Sequence, residues 1–371
     1  MLPCHDSERA NPALCVINYN GSRYLPSTLA KVAELRKQFS QVVFVDDAST
    51  DDSVELARRL LPDARIVALT ENRGPGAARN AGFERVEADR VLFMDNDVEL
   101  GTDALPTLSR ALDANAQAVI AMPRIVSADA PYRIEYEGGD AHFSGLLSLR
   151  AAGGDAGVVH APPSNVGSLV SCCFLFDRAR WRGGPPFDES FGMYLEDHEL
   201  GVRARMLGFD LLAVPGAVGL HAQGTPGVSI RATGTHTSRR IVGTILHRWY
   251  LLLKLYQTRT LVLLSPYLLV FEVFQLAGAV ALGWGHPWLS AVGKLLSSLP
   301  SVLESRAAFK GLRRRPDKAV LSGGPHPFNP ALRERKAVRM TLKALDAFAA
   351  MNWAFARRLM GGSVQRVTAE W

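Results

Sequence analysis

At 371 residues, with 47% hydrophobic and 21% charged side chains, the chain is long for one ordinary domain and too balanced for a disordered, collagen-like or many-span membrane protein. One folded domain of roughly 200 to 250 residues plus an appended region is the expectation. The net charge of +6 is uneven: residues 301–371 hold 14 Lys and Arg against 5 Asp and Glu, a basic end on a mildly acidic body that suggests an anionic surface as partner.

From the N-terminus, short apolar runs alternate with helical patterns. Segments 13–17, 42–45, 65–69 and 91–94 read as strands, and 27–39, 53–61 and 76–86 as helices. This alternation predicts an α/β fold, a mostly parallel sheet flanked by helices, whose ligands sit beyond the carboxyl ends of the strands. The polar clusters 18–21, 46–50 and 95–97 each follow a strand, so all three are expected on one rim. From 127 to 166 the pattern is irregular and glycine-rich, with Tyr132, Tyr136, His142 and Phe143, and reads as hairpins and loops. A strand over 169–176, a loop over 183–191 and a helix over 196–207 follow. Long apolar and basic helices then take over, with the boundary between Thr233 and Arg240 and two units, 1–238 and 239–371.

Residues 261–282 are strongly apolar, broken only by Ser265, Pro266, Glu272 and Gln275. They are long enough to span a bilayer core, for which about 20 residues suffice. Arg239, Arg240, Arg248, Lys254 and Arg259 precede them, and Arg306, Lys310, Arg313, Arg314, Arg315 and Lys318 follow, so a single span would leave one basic group outside. Glu272 near the middle adds a further cost. The expectation is therefore a membrane-associating helical C-terminal region, peripheral or monotopic at the cytoplasmic leaflet, with arginines on anionic headgroups. Lipid is favoured over nucleic acid by the apolar neighbourhood, and a soluble packing domain or a homo-oligomer interface is the competing reading. Cys4, Cys15, Cys172 and Cys173 lack metal-ligand spacing and suit a reducing cytosol, and the polar N-terminal residues predict no secretory signal.

Three acidic clusters carry chemistry. Asp95-Asn96-Asp97, directly after a strand, puts two carboxylates on one turn, oxygen ligands suited to Mn²⁺ or Mg²⁺ bound together with substrate phosphates. Alone, the same turn also reads as a cap for the helix near Thr102. Asp46 and Asp47 could accept hydrogen bonds from a base and a ribose, while Ser49, Thr50 and Asp51 read equally as caps and turn residues. The run Asn72-Arg73-Gly74-Pro75-Gly76-Ala77-Ala78-Arg79-Asn80 sets glycines before a helix, where backbone N–H groups could face phosphate. The third cluster, Asp188 and Glu189 with Glu196-Asp197-His198-Glu199, gathers at a helix start, where the macrodipole favours acids and a carboxylate can also act as general base. Glu199 and Arg203 are spaced as a structural i,i+4 pair. His221 reads either as a metal ligand or as a loop histidine.

Taken together, Ile17-Asn18-Tyr19-Asn20-Gly21, Val45-Asp46-Asp47-Ala48-Ser49, Asn72 with Gly74 and Arg79-Asn80, Asp95-Asn96-Asp97, Glu196-Asp197 and His221 stand in the order found in family 2 glycosyltransferases, and residues 11–225 resemble that family. The resemblance implies a GT-A fold, an inverting mechanism and a nucleoside-diphosphate sugar donor, with contacts compatible with a UDP- or dTDP-linked sugar. It implies that Asn18, Tyr19, Asp46, Asp47, Gly74, Arg79, Asn80 and Asp95 bind the nucleotide, and that Asp97, Asp95 and His221 hold Mn²⁺ or Mg²⁺. Asp197 would be the catalytic base, with Glu196 assisting. The irregular middle region could then bind the acceptor. The apolar, basic extension is similar to rhamnosyltransferase-like members that build lipid-linked cell-surface polysaccharide, which implies a lipid-linked glycan acceptor and rhamnose as one sugar.

Ala48 departs from the pattern where the family often has glycine, Asn96 lies between the two acids of the Asp-x-Asp, and His198 stands where many members carry another acidic or small residue. A sugar nucleotidyltransferase and an inactive membrane-anchored scaffold are the rival readings. The first lacks a Gly-rich loop with a basic residue near the N-terminus for a triphosphate. The second is opposed by Asp97, Asp197 and His221 being present together.

Overall fold

Apolar residues fill the first four strands, β1 (Ala13–Asn18), β2 (Val42–Asp46), β3 (Arg65–Ala68) and β4 (Arg90–Asp95), which pair in parallel in the order β3-β2-β1-β4. Along β1, Ala13, Cys15 and Ile17 enter one core and Leu14 and Val16 the other, the period of two of a strand covered on both faces. The crossovers are α1 (Leu25–Glu34), α2 (Ser53–Leu60) and α3 (Pro75–Arg85). The helix expected over 27–39 ends at Glu34 and finishes as a 3-10 turn, Arg36–Gln38. The computed structural model describes residues 11–157, 161–222, 237–328, 334 and 336–361.

Beyond β4 the topology turns mixed. In chain order come β5 (Val98–Leu100), α4 (Ala104–Ala114), β6 (Ala118–Ser127), β7 (Ala130–Tyr136), the small β8 (Gly139–Ala141) and β9 (Leu147–Leu149) hairpin, β10 (Ser164–Asn165), β11 (Cys173–Asp177), α5 (Glu196–Met206) and β12 (Asp210–His221). β11 runs antiparallel between β4 and β6, β6 and β12 are parallel, and the sheet path reads β10-β12-β6-β11-β4-β1-β2-β3. β12, which ends at His221, is 12 residues long, and a register shift between Val214 and Val218 sets Pro215 and Gly216 apart from the ladder. α1, α2 and α4 cover one face of the sheet; α3 and α5 cover the other.

The C-terminal helices are α6 (Ser238–Leu255), α7 (Thr258–Ala281), α8 (Gly285–Lys310) and α9 (Lys336–Leu359). Leu246, Tyr250 and Leu251 of α6 and Tyr267 and Phe271 of α7 belong to the same core as Phe93, Phe174, Phe187 and Phe191, so these helices are fused to the sheet. Thr233, at one side of the expected boundary, lies outside the described residues. Three of the basic residues assigned to headgroups turn inward instead: Arg248, Lys254 and Arg313 are buried in ion pairs with Glu272, Asp188 and Asp317. A buried cation needs a partner, and the packing supplies one in each case. α7 is long and apolar enough to cross a membrane, and only 22% of its most apolar window is buried, unlike a helix at the centre of a soluble core.

Candidate active site

Because Asn18 lies beside Asp46 and Ile17 beside Asp95 in the parallel register, the polar clusters after β1, β2 and β4 meet at one rim. A cleft of about 410 Å³ opens there, lined by Asn18, Tyr19, Asp47, Asp95 and Asp97, with Glu196, Asp197 and His221 completing it. Asp46, Gly74, Arg79 and Asn80 stand behind this wall. Asp46 Oδ1 accepts from Asn18 Nδ2 at 2.7 Å and from Ser49 Oγ at 2.6 Å. The N–H groups of Arg73 and Gly74 donate to the two oxygens of Asp47 at 2.9 and 2.8 Å. Asn80 Nδ2 donates to Phe187 O and Glu189 Oε1, tying α3 to the loop before α5. Two glycines permit the close approaches. A Cβ on Gly21 would lie 2.0 Å from Asn96 Nδ2, which donates to Asn18, and one on Gly74 (φ 90°) would lie 2.3 Å from Gly192 O.

Arg79 links β4 to α5 from beneath the cleft. Its buried guanidinium donates from Nη2 to Asp95 Oδ1 at 2.6 Å and to Ser171 O at 2.9 Å, with Nη1 3.7 Å from Glu196 Oε1. Burial raises the Asp95 carboxyl to about 6, with Arg79 opposing and Asp97 adding to the rise. Burial and the neighbouring Asp197 push Glu196 up to about 8. Burial also pushes Asp197 up, opposed by the His198 N–H, Arg79 and Ser171. Glu196 Oε2 is buried with no hydrogen-bond partner among the described residues, although its side chain borders the cleft. The His198 ring points away, Nδ1 against Ser168 Oγ at 2.6 Å, and burial lowers it to about 3, so it is neutral. It meets Asp197 only through its backbone N–H, 2.7 Å from Oδ1. Tyr194 (φ 76°) and Leu195 (φ 66°), directly before these acids, are both left-handed, a strain of about 1–2 kcal/mol per residue concentrated at the site.

On the facing wall, β5 folds back from Asp97 onto β12, and Ala222 N donates to Asp97 O at 2.8 Å. His221 Nε2 comes within 3.4 Å of Asp97 Oδ2, while Nδ1 lies 2.9 Å from Glu135 Oε2 on β7. Burial alone would lower the imidazolium, but the hydrogen bonds to Asp97 and Glu135 outweigh it and raise it to about 10. Without a metal the ring is therefore an imidazolium; a divalent ion would have to replace the proton on Nε2, while the carboxylate on Nδ1 keeps the ring oriented. Among the described residues no three His, Cys, Asp or Glu side chains already close into a cage. The carboxylates of Asp95 and Asp97 with His221 are nonetheless the oxygen and nitrogen donors that a divalent ion accepts alongside substrate oxygens.

Two cleft residues, and one behind His221, carry no signal of their place in the sequence. Arg240 and Thr244 of α6 line the cleft, and the Arg240 guanidinium stacks 5.0 Å above the Tyr194 ring. The sequence places Arg240 among the cations flanking the apolar segment; the fold puts it in the wall of the cleft. Glu135 is an acid in a strand, and only the pairing of β7 with β6 and of β6 with β12 brings it to His221.

A sheet whose parallel half delivers acids to one rim, closed by the β5–β12 pairing, is the GT-A type of α/β fold. Residues 13–179, a little under half of the chain, match the family described as glycosyl transferase family 2. The chain is 32% identical over 90 residues to an uncharacterized glycosyltransferase of Haemophilus influenzae, covering 24% of this chain and 36% of the relative. It is 28% identical over 151 residues to a teichoic acid poly(glycerol phosphate) polymerase of Staphylococcus epidermidis, covering 38% and 21%. It is 35% identical over 96 residues to an undecaprenyl-phosphate 4-deoxy-4-formamido-L-arabinose transferase of Edwardsiella ictaluri, covering 25% and 29%. The matched stretch thus spans little more than a third of any of these relatives. In fold, the chain is similar to the crystal structure of GalNAc-T7 with UDP, GalNAc and Mn²⁺, at TM-score 0.50 and 15% identity over 67% of this chain and 51% of that one.

Proposed function

We propose that the protein is an inverting glycosyltransferase that moves a sugar from a UDP- or dTDP-linked donor to a hydroxyl of a lipid-linked glycan in cell-surface polysaccharide synthesis. The observation that carries this reading is one cleft holding Asp95, Asp97 and His221 together with Glu196 and Asp197. Asp197 takes the acceptor proton as the acceptor oxygen bonds to the anomeric carbon; the bond from that carbon to the diphosphate oxygen breaks, its electron pair leaves on the diphosphate, and the configuration inverts. Glu196, held protonated near neutrality, offers Oε2 to the acceptor. Asp47 and Tyr19 face the nucleotide base and Arg240 the diphosphate; Asp46, Gly74, Arg79 and Asn80 hold the walls that present them. Asp97, Asp95 and His221 are the residues to hold Mn²⁺ or Mg²⁺, which when bound neutralises charge on the leaving diphosphate. Glu135 keeps His221 oriented for that purpose. The names of the teichoic acid and undecaprenyl-phosphate relatives support an envelope acceptor, and rhamnose is the first sugar to try, on the likeness of the apolar extension.

The same reading puts the protein peripherally on the cytoplasmic face of the inner membrane. Val262, Leu269 and Val273 of α7, Leu289 and Leu296 of α8 and Phe355 of α9 are exposed, with Arg259, Lys310, Lys343, Arg357 and Arg358 also exposed on these helices. Apolar faces beside cations suit the interface of an anionic bilayer. Transfer from a panel of UDP- and dTDP-sugars, rhamnose included, is expected to require Mn²⁺ or Mg²⁺ and to vanish in Asp97→Ala; full transfer without metal would contradict the reading.

A further inference from the structure

A second cavity, of about 500 Å³, lies beside the first and differs from it in charge. Met193 lines both, so the wall between them is the backbone that runs through Gly192 and the left-handed Tyr194 and Leu195 to Asp197. The first cleft is rich in carboxylates. The second is lined by Arg239, His286 and Lys294; none of them makes a close ion pair among the described residues, although the Arg239 charge also acts on Asp47 of the first cleft. Its one acid, Glu189, is already engaged by Arg73 and Asn80. Ser238 and Arg239 open α6 and His286 and Pro287 open α8, so two helix N-termini add partial positive charge to the same space. Its surface therefore favours an anion with two or more charges.

The position of the cavity narrows the anion. Ser290 and Lys294 line it from one face of α8, while Leu289, Leu296 and Leu303 recur every seventh residue on the neighbouring face and are exposed at 64, 65 and 48%. A ligand that puts its charge against Lys294 and Arg239 can therefore lay an apolar chain along the outside of α8. Its polar remainder points at Met193, four residues before the base. We propose that this cavity binds the phosphate or diphosphate of a lipid-linked acceptor, holding the anchor while the glycan hydroxyl reaches Asp197. The inference rests on the transferase reading for its direction but on separate residues for its chemistry.

Titration of the full-length protein with farnesyl diphosphate, farnesol, inorganic diphosphate and phosphatidylglycerol vesicles tests it, with UDP plus Mn²⁺ as the control for the first cleft. Farnesyl diphosphate is expected to bind at least tenfold tighter than either farnesol or inorganic diphosphate. Lys294→Glu, on an exposed position, should weaken it tenfold or more while UDP affinity stays within about twofold; Lys294→Gln should fall between. Equal binding of farnesol, or no effect of Lys294→Glu, overturns the proposal. Equal binding of inorganic diphosphate makes the cavity a site for a free anion and overturns the lipid assignment, as does complete displacement of farnesyl diphosphate by phosphatidylglycerol vesicles. Failure of UDP to bind the wild type would break the transferase reading alone, because the farnesyl titrations judge this cavity without it.

Discussion

The sheet rim and the C-terminal helices both bury charge, but they leave it in opposite states. In the helices each buried cation meets an acid: Arg248 pairs with Glu272, Lys254 with Asp188, Arg313 with Asp317. At the rim, among the described residues, Arg79 and the His221 imidazolium face Asp95, Asp97, Glu135, Glu196 and Asp197, so negative charge exceeds positive, and Asp95, Glu196 and Asp197 hold protons above their ordinary range. A satisfied pair serves as scaffold. An unsatisfied group of acids, kept in place by backbone N–H donors and a strained turn, is stable only with protons or a bound cation to complete it, which is what a site for a metal-bound diphosphate requires.

Removing the central cation from each region should separate the two. Arg79→Met leaves several buried carboxylates without compensation and is expected to cost about 3–5 kcal/mol in denaturant unfolding at pH 7. Arg248→Met strands only Glu272, which is 19% exposed and can turn to water, so the loss should be clearly smaller. Equal losses would mean that the rim is no more charge-stressed than the scaffold.

Glu135→Gln should weaken Mn²⁺ affinity by about 10- to 100-fold in calorimetric titration, since Glu135 orients His221. Unchanged affinity would remove His221 from the metal site.

The pH dependence of the rim follows from Glu196. Its folded pKa of about 8 lies above the ordinary 4.5, so the folded state takes up a proton; the stability tied to it is full below about 4.5 and is lost as pH rises toward 8. Glu196→Gln should therefore gain on the wild type between pH 5 and pH 8, by on the order of 2 kcal/mol in paired thermal melts. A constant difference across that range would show that Glu196 is ionised in the fold.

Ala48 offers the smallest effect. It sits at φ 60°, in the left-handed region that glycine adopts without strain. Ala48→Gly is expected to stabilise by roughly 1 kcal/mol or less, and destabilisation in the same melts would mean its methyl group packs usefully.

What the sequence disclosed follows the same division. β1, β2 and β4 and the acids after them are legible because these strands are buried on both faces and each cluster is contiguous, and parallel pairing then brings the clusters together. β6 and β12 are not legible as strands in the sequence, because Pro123 and the Pro215-Gly216 pair interrupt the pattern that only long-range pairing restores. Glu135, Arg240 and Thr244 gave no local signal. They reach the cleft through strand pairings across the sheet and through a helix whose basic composition suggested a membrane surface.

The central claim is a division of labour within one cleft, the strand-end acids serving the donor and Asp197 serving the acceptor. Turnover and affinity for UDP with Mn²⁺, measured together in Asp197→Asn, test it most directly. Turnover is expected to fall about 10²- to 10⁴-fold while nucleotide affinity stays within a few fold of wild type; wild-type turnover, or loss of nucleotide binding, would contradict the account.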